Sequence, residues 1–214
     1  DMILDPGFLP QALAFLQDNP DMAGVTGHVD EQAVSNLEFA RRVGREGPEN
    51  RVGPIERMNG GGLYRRTAIE EVGYLSDRNL HAYEEFDLGV RLRDAGWGLH
   101  RLDRRFVGHY GHTENSYRLL LRRWRSKYLY GIGELLRASL GKPYFFRLFR
   151  ELSELRLWGA IYLWWALSLA ILVFLPDKAM AAAIVFALLA AVVLLMSVRK
   201  GSLGMGLYTV VAWF

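Results

Sequence analysis

Two uncharged stretches, residues 157–175 and 179–198, limit the architectures open to this chain more than anything else in its sequence. They run for 19 and 20 residues, and about 20 apolar residues in a helix cross the hydrocarbon core of a bilayer. Each is therefore predicted to be a transmembrane helix. Only Pro176-Asp177-Lys178 lies between them, which forces a tight turn and an antiparallel pair. Arg199-Lys200 closes the second stretch, and residues 203–214 read as the start of a third span.

Upstream of these stretches the composition changes twice. Residues 1–116 read as a soluble α/β domain, and residues 117–156 as a basic, aromatic segment. The net charge of +3 conceals how the basic residues gather. Between Tyr117 and Arg150 stand nine of them (Arg118, Arg122, Arg123, Arg125, Lys127, Arg137, Lys142, Arg147 and Arg150) against one acid, Glu134. Such a cluster suits nucleic acid or anionic lipid. The adjoining spans decide for anionic membrane lipids, and no nucleic-acid partner is expected. Arginines interleaved with Trp124, Tyr128, Tyr130, Tyr144, Phe145 and Phe146 suit interfacial amphipathic helices. By the positive-inside tendency this segment and Arg199-Lys200 lie on the cytoplasmic face of a multi-pass cell-membrane protein. The soluble domain is then cytoplasmic too. The chain has no cysteine, which excludes a disulfide framework and a thiolate metal site.

Within the soluble part, residues 1–7 read as a strand end and turn, and Leu9, Leu13 and Leu16 as the stripe of a short helix that stops at Asn19-Pro20. Residues 23–29 suit a buried strand. A helix is possible near residues 36–43, and residues 44–54 read as a loop. Thr67-Ala68-Ile69-Glu70 fits a capping box opening a helix that ends at Gly73. Residues 99–102 and 106–109 suggest two short strands around Asp103-Arg104-Arg105. His109 and His112 have a spacing that a metal could use, and equally that of surface or hydrogen-bonded histidines.

Two stretches invite chemistry. In Asn59-Gly60-Gly61-Gly62, three glycines mark unusual dihedrals or a close approach, against a ligand or simply in a loop. In Glu84-Glu85-Phe86-Asp87, three carboxylates open a segment that ends at Gly96. Phe86, Leu88, Val90 and Leu92 alternate as a strand would, but Leu88, Leu92 and Ala95 recur at helical spacing, and Gly89 on that side permits close packing. A helix buried on two sides is predicted. Acids in a first turn complement the dipole, which is a structural role; adjacent carboxylates also repel, which poises one as a general base.

The order Asp1-Met2 before Pro6-Gly7-Phe8, then Asn59-Gly60-Gly61-Gly62 with Arg65-Arg66, then Glu84-Glu85-Phe86-Asp87-Leu88 with Arg91-Leu92 and Ala95-Gly96-Trp97, resembles the second half of a membrane-bound family 2 glycosyltransferase. The likeness covers residues 1–130. It implies the acceptor half of a GT-A-type sandwich, followed by interfacial and transmembrane helices. Inverting transfer from a nucleotide-sugar donor to a lipid-linked or envelope glycan acceptor is implied, with Glu85, or its neighbour Glu84, as base. Asp1 corresponds to the second aspartate of an Asp-x-Asp motif that holds a divalent cation, Mg or Mn. Asn59, Gly60, Gly61, Gly62, Asp87, Arg123 and Trp124 are then expected on the substrate side. Processive members carry Gln-x-x-Arg-Trp where this chain has Leu120-Leu121-Arg122-Arg123-Trp124, which argues against a processive polymerase. The chain is accordingly expected to be a fragment, inactive alone, whose donor-binding half precedes Asp1. A non-catalytic membrane scaffold that keeps the fold is the alternative.

Overall fold

A computed structural model describes residues 2–31, 51–110 and 114–213. Two compact units emerge, Asp1–Phe145 and Phe146–Phe214. The frame of the first is a mixed sheet of β1 (Met2–Leu4), β2 (Met22–Glu31), β3 (Gly53–Pro54), β4 (Leu63–Tyr64) and β5 (Gly98–His109). Strand β5 organises it, pairing parallel with β2 and antiparallel with β1 and β3, while β4 extends the far side of β2.

The two strands expected at residues 99–102 and 106–109 are one. Strand β2 accompanies β5 from Met22 opposite Gly98 to Glu31 opposite His109, and register shifts on either side of His28 absorb the irregularity. Gly27 comes so close to the Arg104 carbonyl there that a Cβ would collide with it.

Helix α1 (Phe8–Asp18) forms where expected but turns a different face inward. Leu9 and Leu13 are 41% and 51% exposed, whereas Phe8, Ala12 and Leu16 are buried. Phe8 stacks on Phe106 with ring centroids 4.8 Å apart. That aromatic contact, with small Ala12 one turn on letting the helix approach the sheet, goes with the rotation that leaves Leu9 and Leu13 outside. Helix α2 (Arg66–Glu71) lacks the expected capping box. Glu70 instead accepts from Arg66 Nε at 2.7 Å, and Arg65 donates to the carbonyls of Leu16, Asn19 and Met22.

Helix α3 (Glu84–Asp94) is buried on two sides, as its mixed periodicity predicts. Leu88 and Leu92 pack with Ala23, Met58, Ala68 and Leu99. On the helix's close-packed side, a Cβ on Gly89 would lie 2.6 Å from the Glu56 carbonyl oxygen. Gly96, at φ +92°, reverses the chain into β5. Helices α4 (Ser116–Arg125), α5 (Gly131–Ser139) and α6 (Phe145–Glu151) follow, with a 3-10 turn at Tyr128–Tyr130.

In the second unit, α7 (Ser153–Phe174) and α8 (Lys178–Lys200) are both long and apolar enough to cross a membrane, and α9 (Leu203–Val211) follows. Asp177 caps α8 by accepting from the N–H groups of Ala179 and Met180. Lys178 Nζ donates to the carbonyls of Leu172, Val173 and Leu175, closing α7. Two adjacent residues thus cap both helix ends of the turn. The helix considered near residues 36–43, and residues 44–50 of the adjoining loop, lie outside the described residues.

Candidate active site

The triple glycine and the acidic helix meet. Gly60 and Gly61 take φ values of +82° and +94°, a left-handed region that L side chains rarely occupy. Gly62 is there for space, since a Cβ would lie 2.6 Å from the Val25 carbonyl oxygen and would also strike the Met58 sulfur. Buried Thr26 on β2 donates its hydroxyl to the Gly61 carbonyl at 2.8 Å and fixes the turn from below. The turn so formed directs backbone N–H groups at α3, and Gly60 N–H donates to Glu85 Oε2 at 3.2 Å.

Half-buried Glu85 is held above the ordinary carboxylate range by burial. The N–H groups of Gly60 and Gly61 pull it back, Glu84 pushes it up, and Arg57 pulls it down. Burial prevails. Glu84 is exposed. The Tyr64 phenol is raised by burial first and by the Glu85 charge second, which identifies it as another neighbour of this carboxylate.

Asp87 is two residues further on and differently placed. It is 2% exposed, and its Oδ2 accepts from Arg91 Nε at 2.8 Å. Arg91 donates onward to the carbonyls of Val72 and Tyr74 and lies over the Tyr74 ring at 3.8 Å. Burial raises Asp87 against the pull of Arg91, and the charge of Asp77 adds to the rise. The Tyr144 phenol, pushed up to about 12 by burial and then by Asp87, completes this buried group. Asp87 is therefore not brought to the Glu85 carboxylate; it ties α3 to the loop at residues 72–74.

The other expected residues divide. Asn59 leads directly into the turn, half-buried. Arg123 lies over Tyr128 at 5.0 Å, and Trp124 is 56% exposed; neither is among the groups that set the state of Glu85. His109 sits at the end of β5 opposite Met2. Asp1 and His112 lie outside the described residues. The neighbour of Asp1 does reach the turn, for the Met2 sulfur would lie 3.8 Å from a Cβ on Gly60. Among the described residues no three His, Asp or Glu side chains cluster as a metal would require. Arg57, Tyr64 and Thr26 were not singled out in the sequence: Arg57 and Tyr64 flank the glycines without being part of their pattern, Thr26 lies on a strand without a motif, and the pairing of β2 with β4 and the packing of α3 bring them to the turn.

The chain matches the sequence profile described as Glycosyl transferase family group 2 over residues 50–198, more than half its length. The chain belongs to glycosyltransferase family 2. The match runs through the triple glycine, the acidic helix and both long apolar helices of this transferase. Comparison with curated proteins finds no match. Its mixed sheet with flanking helices is the α/β class that the resemblance implied.

Proposed function

We propose that this transferase is membrane-bound and inverting, and that Glu85 is the base taking the proton from the acceptor hydroxyl. The observation that carries the reading is the hydrogen bond from Gly60 N–H to Glu85, which seats one acid of the doublet beneath the glycine turn while Glu84 faces outward. A carboxylate held above its ordinary range is a stronger base near neutral pH. Once the proton moves to Glu85, the acceptor oxygen attacks the anomeric carbon in line. The bond from that carbon to the nucleoside diphosphate breaks, and the configuration inverts.

Asp1 is the residue that the resemblance gives to a divalent cation, Mg or Mn, which when bound offsets charge on the donor diphosphate. The described residues hold no cluster that could bind such an ion by themselves. What they supply is the base, the Gly60 and Gly61 N–H groups that orient it, and Arg57, whose charge favours its ionised form against the larger opposing effect of burial.

A lipid-linked or envelope glycan is the acceptor class that fits best, because α7 and α8 are apolar around their whole circumference and expose Phe174, Phe186 and Val198. Anionic lipids suit the arginines of α4. In the intact transferase, Glu85→Gln is expected to lower turnover by about 10²- to 10⁴-fold while donor binding persists. Turnover equal to that of the parent would reject Glu85 as base and favour a scaffold role.

A further inference from the structure

Glu134, the one acid among nine basic residues between Tyr117 and Arg150, is turned to His81. Its Oε2 accepts from the His81 backbone N–H at 2.8 Å, and its Oε1 lies 2.8 Å from His81 Nδ1. On the same helix, Gly131 lies against the next two residues. A Cβ there would come within 2.6 Å of Ala82 Cβ and 3.1 Å of the Tyr83 ring. Helix α5 thus grips three consecutive residues from across the sequence. The last of them, Tyr83, has φ +68°, a conformation that a bulky residue keeps only when its surroundings impose it. The next residue opens α3. If Tyr83 relaxes to a negative φ, the chain enters α3 in a different direction, and Glu85 loses its place beneath Gly60.

We propose that Glu134 is a positioning residue for sugar transfer: its clasp on His81, seated by Gly131, holds the left-handed turn at Tyr83 and so aims Glu85. The inference rests on the reading of Glu85 as base.

The test uses the intact transferase in nanodiscs, with amide exchange, steady-state kinetics and the Glu85→Gln control side by side. Glu134→Ala is expected to speed exchange at residues 81–84 and to lower kcat, each by about tenfold, because the clasp is lost and the base is misplaced. The KM for the nucleotide sugar should stay within about twofold. Glu134→Gln still accepts from the His81 N–H and donates to Nδ1, so it should restore both to within about threefold of the parent. Gly131→Ala improves helix propensity, yet should lower kcat because its methyl displaces Ala82. Faster exchange with unchanged kcat in Glu134→Ala overturns the proposal, as does a Gln variant as impaired as the Ala variant. So does a Gly131→Ala protein of full activity. Turnover persisting in Glu85→Gln would instead sink the base assignment, and is told apart because the exchange result does not depend on which carboxylate takes the proton.

Discussion

Successive residues of a helix point about 100° apart, so Glu84 and Glu85 cannot share an environment once one side of α3 is packed. Glu84 is exposed, while Glu85 turns under the glycine N–H groups and is raised by burial. The like charge of Glu84 raises it further. This separates two carboxylates that sequence alone leaves equivalent. If activity requires ionised Glu85, kcat/KM must rise with pH through a value above the ordinary glutamate range. Glu84→Gln removes a charge that favours the protonated form, so the acid limb should move to lower pH while activity at neutral pH persists to within about threefold. A pH–rate profile of both variants checks this. A limb moving upward, or loss of turnover equal to that of Glu85→Gln, would transfer the base role to Glu84.

At the scale of the element, α3 is fixed at three points: Gly60 on Glu85, the Arg91 network beneath Asp87, and the approach of Gly89 to residues 56–57. Much of this could be read beforehand. The spacing of Leu88, Leu92 and Ala95 gave a helix, Gly96 its stop and Gly89 its close contact, all being local consequences of residue type. The role of Asp87 could not be read so, because its ion pair with Arg91 at i,i+4 resembles an ordinary surface pair until the loop at residues 72–74 covers it. Nor could the inward face of α1, where Phe8 competes with Leu9 and Leu13 and only the position of Phe106 on β5 decides. The expected box at Thr67 does not form, and Arg65 before it is held instead by the carbonyls of Leu16, Asn19 and Met22 from α1, the turn after it and β2. Asp87→Asn should therefore damage stability before chemistry. It leaves buried Arg91 without its counter-charge, a loss of about 3–5 kcal/mol. Thermal unfolding should shift down by several degrees, roughly 2–4 °C per kcal/mol for a domain of this size. The KM of the fraction that stays folded should not move. A raised KM at unchanged stability would show instead that Asp87 reaches substrate.

For the whole molecule, charge and length argue together. Helices of 22 and 23 residues at about 1.5 Å per residue reach some 33–35 Å, enough for the roughly 30 Å hydrocarbon core. Their side chains are largely exposed rather than packed into a core, with Phe174 and Val198 each 82% exposed. Water would penalise that surface heavily. The three-residue turn cannot hold the helices apart, so both outer ends should lie on one side of the bilayer, the side of Arg199, Lys200 and the basic segment before Ser153. The 214 residues contain no cysteine, so a thiol introduced among them and compared with the unsubstituted protein reports its own location. Pro176→Cys, in the turn, should react with a membrane-impermeant maleimide added outside intact cells. Leu203→Cys, beyond α8, should react only after the membrane is opened. The same membranes washed with alkaline carbonate should retain the protein. Labelling of both positions from outside would mean that the hairpin does not span, and labelling of Leu203→Cys alone would invert the orientation and with it the compartment from which Glu85 draws its acceptor.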